Sequence, residues 1–291
     1  MVTKTTSKAK SAAAGSATGA ESASSAPVAL ITGASSGIGE ALAHCFAAGG
    51  HDVILVARSA DKLKALAHLL ATRHGVKAEV AAADLTKPGA VGNLAAVLKR
   101  KGVAINVLVN CAGVLEQGAF TSMDAAVHQQ IIDLNISALT SMLSTFVPEM
   151  TATARKQGRQ GRILNVASIA AFQPIPLLAT YAASKAFVLS LSESLSEELK
   201  NSGVTVTALC PGITATNMLS MAADANDKLS KLPSFLVAPV KDVAQAGFAA
   251  TLRGDAICVP GAINQLSMIS SRATPKWVVR KIGGIFGRNV M

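Results

Sequence analysis

A rhythm of short, continuous apolar runs, each followed by a helical stretch, limits this chain's fold more than any other feature. Val28-Ala-Leu-Ile31 passes through a glycine-rich turn into a helix expected over about 38–48. Asp52-Val-Ile-Leu-Val-Ala57 precedes a helix over about 60–73, and the run 78–83 precedes one over about 88–101. A fourth run, Ile105-Asn-Val-Leu-Val109, ends at Asn110-Cys-Ala-Gly113. The second half continues with a long helical region over 124–155, a strand at 162–167, a helix over 179–201, a strand at 204–209, a helix over 240–252 and a last strand at 256–259. Runs that are apolar throughout, instead of alternating with polar residues, belong to strands covered on both faces. Strands separated by helices of this length form βαβ units, so the expectation is an α/β protein with one doubly wound parallel sheet and helices on both sides.

The chain has 291 residues, enough for a single large core. Residues 27–260 form the expected single domain. Residues 1–26, rich in Ala, Ser, Thr and Lys, bury too little apolar area to offset ordering entropy and are expected to be disordered. Residues 261–291 read as a basic C-terminal extension. The formal net charge is +10, of which the N-terminal segment carries +2, the last twenty residues +5 and the central body +3. Basicity concentrated at the ends is not a nucleic-acid footprint on the fold. Cys45, Cys111, Cys210 and Cys258 are far apart, and the histidines are scattered before residue 129. Neither a disulfide framework nor a metal site is expected, which suits a reducing, cytoplasmic setting. No apolar h-region marks a secretory signal, and no apolar run is expected to span a membrane.

Between the first strand and its helix lies Thr32-Gly-Ala-Ser-Ser-Gly-Ile-Gly39. Gly33, Ser35, Ser36, Gly37, Ile38 and Gly39 are the expected phosphate cradle: a tight turn, a close backbone approach and a helix N-terminus that attracts anions. The same residues also satisfy the Gly-x-Ser-x-Gly nucleophile elbow of hydrolases. That chemistry needs a histidine late in the chain, and none follows His128. Arg58 follows the second strand, where an acid would accept from an adenosine ribose hydroxyl. A guanidinium there clamps a 2′-phosphate, with Ser35 in support, so NADP is the expected cofactor. Asp84, Leu85, Asn110, Ala112 and Gly113 stand at the C-terminal ends of the third and fourth strands, where open α/β sheets bind ligands. Asp84 has a competing reading as a helix N-cap.

Tyr181 is the single tyrosine, and Lys185 follows it by one helical turn on the same face. An ammonium beside a phenol favours the phenolate, so Lys185 is expected to lower the tyrosine pKa. Ser168 closes the fifth strand thirteen positions before Tyr181, where its hydroxyl and the phenol can share one substrate oxygen.

Together, Thr32-Gly-x-x-x-Gly-x-Gly39, Asp84, Asn110-x-Ala-Gly113, Asn135, Ser168, Tyr181-x-x-x-Lys185 and Pro211-Gly212 resemble the short-chain dehydrogenase/reductase family over roughly residues 27–260. The resemblance implies a Rossmann-type fold and an oxidoreductase in which Tyr181 protonates a carbonyl oxygen, Ser168 binds that oxygen and Lys185 holds the nicotinamide ribose. It also implies that Asn135 holds a water linking Lys185 to solvent, and that Pro211, Gly212, Ile213 and Thr216 meet the nicotinamide end. Cys111 departs from the family's Asn-Asn-Ala-Gly. The segment 218–240, with Met218, Leu219, Met221, Leu232, Phe235 and Leu236, is the implied substrate lid, and homodimers or homotetramers are the family habit. The expected activity is NADPH-dependent reduction of an apolar ketone or aldehyde to an alcohol. The competing reading is a non-catalytic dinucleotide sensor or scaffold. The C-terminal extension carries Val278, Ile282, Ile285 and Phe286 at helical spacing, opposite Lys276 and Arg280. It is expected to pack on its own domain or a neighbouring subunit in preference to an anionic membrane.

Overall fold

The computed structural model describes residues 1–2, 26–215, 237–275 and 277–278. The N-terminal segment, Thr216, most of the expected lid and the end of the C-terminal extension lie outside the described residues. Among the described residues, strands β1 (Val28–Thr32), β2 (Asp52–Ala57), β3 (Ala78–Ala82), β4 (Val107–Asn110), β5 (Gly161–Val166), β6 (Val204–Leu209) and β7 (Ile257–Cys258) form one sheet. Its order is β3-β2-β1-β4-β5-β6-β7 and every pairing is parallel. The order reverses between β1 and β4, and that crevice is where such sheets take ligands.

Helices α1 (Gly37–Ala48), α2 (Ala60–His74), α3 (Ala90–Arg100), α4 (Ala125–Ile132), α5 (Leu139–Gln157), α6 (Ala179–Glu198) and α7 (Val240–Arg253) cover the sheet. Two apolar layers result. Phe46, Leu42, Leu63 and Leu70 pack with Ile31, Leu55 and Val109 on one face. Met142, Phe146, Met150 and Val188 pack with Leu30, Leu108 and Ile163 on the other. Adjacent strand residues such as Leu30 and Ile31 serve opposite layers, which is why the strands are apolar throughout.

The expected elements recur, with shifts at their ends. Helix α3 begins two residues late because Gly89, at φ 76, turns the chain first. Strand β7 shrinks to two residues because an edge strand has one neighbour, and only Ala208 and Leu209 pair with it. Between α4 and α5 the backbone widens into a π-helical stretch, Asp133–Ala138, so the helix runs on without a break. The long helical stretch Ala125–Lys156 is not a continuous apolar run, but its most apolar 18-residue window has a mean hydropathy of 1.3, enough by length and composition for a membrane-crossing helix. One side of it faces the sheet through Ile131, Leu139, Met142, Leu143 and Phe146, all buried. Its apolarity is thus put to use in the core.

Candidate active site

The site begins where β1 ends. Thr32 is buried, and its hydroxyl donates to the Val109 carbonyl at 3.3 Å while accepting from the amides of Cys111 (3.0 Å) and Ala112 (3.1 Å). This fastens the end of β4 beside the glycine turn. Gly33 has φ 68, and a Cβ there would lie 2.8 Å from the Ala112 nitrogen. A Cβ on Gly39 would run into the Gly33 carbonyl, 2.7 Å from its carbon. Both positions therefore require glycine, and helix α1 starts hard against the turn with its first amides free for an anion.

A cavity of about 830 Å³ opens over the C-terminal ends of β1, β2, β4, β5 and β6. Gly33, Ser35, Ser36, Gly37, Ile38, Gly39, Arg58, Asp84, Leu85, Ala112, Gly113, Ser168, Tyr181, Lys185, Pro211, Gly212 and Ile213 all line it, as the sequence pattern anticipates. Two expected residues do not. Asn110 is buried, and its amide donates to Asn165 at 2.9 Å. Asn165 in turn donates to Ser192 at 2.9 Å. That chain ties β4, β5 and α6 together, so Asn110 aligns elements and does not face a ligand. Asn135 is also buried: its amide donates to the Val114 carbonyl and to Ser184 Oγ (both 3.0 Å), and its oxygen accepts from the Val114 amide at 2.9 Å. Both amide protons are committed, so the side chain clamps the 113–114 loop to α6. Asp84 does not cap α3. It accepts from the Thr86 hydroxyl (2.7 Å) and amide (3.1 Å), a local turn that holds its carboxyl below the usual range, with Arg58 adding a small pull.

Tyr181 and Lys185 share a face of α6, with Lys185 Nζ 5.7 Å from the phenol ring centroid. Lys185 Nζ donates to the Val166 carbonyl at 2.9 Å, an anchor on the neighbouring strand end. Ser168 Oγ accepts from the Ala170 amide at 3.1 Å and is hydrogen-bonded to the phenol. Against the lowering expected from Lys185, burial acts in the opposite direction. Burial pushes Tyr181 up to about 12, and only the Ser168 hydrogen bond pulls the other way. The same burial pushes Lys185 down to about 8, against the raising influence of Cys111 and Cys210. The lysine thus loses its proton before the phenol begins to ionise, and no ammonium remains to hold a phenolate. At neutral pH the pair is a cation beside a protonated phenol. Burial likewise pushes the Cys111 thiol up to about 12, so the residue replacing the family's asparagine stays an unreactive thiol.

Sequence reasoning missed the far end of the cavity. Val114, Leu115, Leu134, Ile169, Ala170, Ile175 and Leu178 line it, with Gln117 and Gln130 as polar exceptions. Leu177, in the same loop, holds φ 67, and its carbonyl accepts from the Gly118 amide at 2.9 Å. A leucine in the left-handed region costs about 1–3 kcal/mol, which the surrounding contacts must offset. His128 Nδ1 lies 2.7 Å from the Thr180 hydroxyl, next to Tyr181, and its ring stacks on Phe120 with centroids 4.5 Å apart. No local signal marks any of these, since each acts through a partner distant in sequence.

A dinucleotide fits this arrangement on the structure's own evidence: a cradle that any Cβ would fill, a free helix N-terminus and a guanidinium at the end of β2. The fold and site are those of an NAD(P)-dependent oxidoreductase. The chain belongs to the short chain dehydrogenase family, whose model matches residues 27–227. A short-chain dehydrogenase from Sphingobium yanoikuyae in complex with NADPH is 34% identical, with a TM-score of 0.74, covering 84% of this chain and 93% of that one. The bulky-bulky ketone specific alcohol dehydrogenase from Comamonas testosteroni is 31% identical, with a TM-score of 0.69, covering 84% and 92%. The 3-ketoacyl-(acyl-carrier-protein) reductase from Brucella melitensis complexed with NADH is 29% identical, with a TM-score of 0.71, covering 81% and 96%.

Proposed function

We propose that the protein is an NADPH-dependent reductase of apolar ketones or aldehydes, with Tyr181 as proton donor. The observation that carries this reading is the buried phenol of Tyr181, hydrogen-bonded to Ser168 and facing an apolar cavity wall. When bound, the nicotinamide supplies the hydride that reduces the carbonyl carbon. Tyr181 Oη holds the proton that the carbonyl oxygen takes up as it gains negative charge. A phenol pushed up to about 12 is fully protonated at neutral pH, yet is still a far stronger acid than the alcohol product. Ser168 Oγ donates to the same oxygen and aims it at the phenol. Lys185, anchored on the Val166 carbonyl, presents its remaining ammonium protons to the nicotinamide ribose. Asn135 positions α6 and the 113–114 loop relative to one another. Pro211, Gly212 and Ile213 close the nicotinamide end, and Thr216, beyond the described residues, is assigned there from the family pattern.

Ser35, Ser36, Arg58 and the glycine turn form the phosphate-binding end, and Arg58 directs preference to NADPH by pairing with a 2′-phosphate. The NADPH bound to the Sphingobium relative and the bulky ketone of the Comamonas relative agree with this assignment. The test is NADPH consumption across a panel of ketones, aldehydes, quinones and acyl-thioesters with the native enzyme and Tyr181→Phe. The substitution is expected to lower kcat by about 10²–10⁴. Near-native turnover by Tyr181→Phe would refute the assignment of the donor. Tight NADPH binding without consumption of any carbonyl would replace the enzyme with a dinucleotide sensor.

A further inference from the structure

Tyr181 stands in a small apolar cluster with Ala170 and Ala182, against which Leu115, Ile175 and Leu178 pack. All but Ala182 line the cavity, so this cluster is the surface that the rest of a carbonyl substrate meets once its oxygen reaches the phenol. One side chain breaks the apolar wall there. Gln117 comes shortly after Leu115 and precedes Gly118, whose amide donates to the Leu177 carbonyl at 2.9 Å. The loop is thus tied down on both sides of Gln117, by Leu115 on the Tyr181 cluster and by Gly118 on the 175–178 loop. Gln117 is half-buried and lines the cavity, and among the described residues its carboxamide makes no hydrogen bond. Gln130, the other carboxamide on the wall, is exposed on α4.

A half-buried carboxamide in an apolar wall costs free energy unless a ligand or water meets its N–H donors and its oxygen. A purely apolar substrate would strip off that water and return nothing, which selects against it. A substrate with a second hydrogen-bonding group would take the water's place. Charge narrows what that group is. The cations on the cavity wall are Arg58, Lys87 and Lys185. Arg58 and Lys87 both act on Asp84, beyond the ends of β2 and β3, and β1 and β4 separate those strands from β5, which leads into Ser168. Lys185 is anchored on the Val166 carbonyl and, in the reductase reading, turned to the ribose. Glu116, next to Gln117 and exposed, would repel an anion. The matching group is therefore neutral. We propose that Gln117 is a specificity-determining residue whose carboxamide binds a neutral second polar group, such as an ester or amide carbonyl, on an otherwise apolar carbonyl substrate. The proposal deepens the reductase reading and rests on it.

The probes are ethyl acetoacetate, methyl pentyl ketone (a chain of equal length without the ester) and the acetoacetate anion. Each is titrated calorimetrically into NADPH-loaded Tyr181→Phe, which reads binding apart from turnover, and kcat and KM are measured with the native enzyme. Ethyl acetoacetate should bind more tightly than either of the others. Adding Gln117→Leu should cut its advantage over methyl pentyl ketone by about 3–10-fold, as for one neutral hydrogen bond. In the active enzyme, Gln117→Leu should raise KM for the keto ester more than it lowers kcat. Gln117→Glu, which keeps the shape but trades the N–H donors for a charge, should do the same. Circular dichroism and NADPH binding serve to confirm that the variants are folded. An ester preference in binding that disappears with Gln117→Leu, while the native enzyme turns over no ketone, would keep the role of Gln117 and refute the reductase instead. Equal binding of ester and ketone, an advantage that survives Gln117→Leu, or tighter binding of the anion overturns the proposal and leaves the reductase reading intact.

Discussion

The phenol of Tyr181 can be titrated without interference, because no other tyrosine is present. Burial raises it from the ordinary 10.0 to about 12. That displacement corresponds to a few kcal/mol, on the order of 3, in favour of the neutral form. The sign follows from the order of ionisation. Lys185, pushed down to about 8, loses its charge first, so between pH 8 and 12 the pair is an amine beside a phenol. The unfolded chain gives up the tyrosine proton near 10, whereas the folded protein keeps it until about 12. The group's contribution to stability is therefore complete below the unfolded value and is lost as pH rises through the folded one. The assay is the ultraviolet phenolate band followed against pH, native and in guanidinium, with circular dichroism marking where the fold is lost. The native midpoint should lie well above the denatured one. Ser168→Ala should move it higher still, since the Ser168 hydrogen bond favours the phenolate. Lys185→Met should leave it in place, because the ammonium has gone before the phenol titrates. A native midpoint at or below the denatured value, or a large rise in Lys185→Met, would refute the argument and restore the lysine as the group that activates the tyrosine.

Gly39→Ala drives a Cβ into the Gly33 backbone and should cost about 1–3 kcal/mol, read as a lower Tm together with weaker NADPH binding. Gly92→Ala, in open space on α3, is the control and should stabilise by up to about 1 kcal/mol. Arg58→Asp should weaken NADPH by about 10–100-fold and improve NADH, measured by fluorescence titration of both; unchanged NADPH affinity would remove Arg58 from the phosphate site. Asn135→Ala leaves the Val114 amide and carbonyl without their side-chain partner and should cost on the order of 3 kcal/mol in thermal unfolding, an unaltered Tm being the contrary result.

Much of the molecule was legible before any coordinates. Continuous apolar runs such as Asp52-Val-Ile-Leu-Val-Ala57 specify strands buried on two faces, and Gly33, Gly37 and Gly39 specify a turn that only a backbone-binding ligand requires. These are local signals, set by period and by missing side chains, and the sequence carries them whole. The spacing of Tyr181 and Lys185 likewise guarantees a shared helix face.

What that face does was decided by the tertiary structure. Whether an ammonium activates a phenol depends on how much water each has lost, and burial in the folded chain shifts both groups toward neutrality. The acceptor that anchors Lys185 is a backbone carbonyl, Val166, which carries no signature in a sequence. Asn110 and Asn135 look alike as polar residues near strand ends and helices, yet the Asn110 amide nitrogen is taken up by a partner 55 positions away and the Asn135 side chain by partners 21 and 49 positions away. Ile263, Leu266 and Ile269 stand three apart in the sequence, but nothing in it says which side of the helix Ala262–Ala273 they would face. That was settled by Met268, Asn264 and Ser271 taking the inner side, which left Leu266 in solvent.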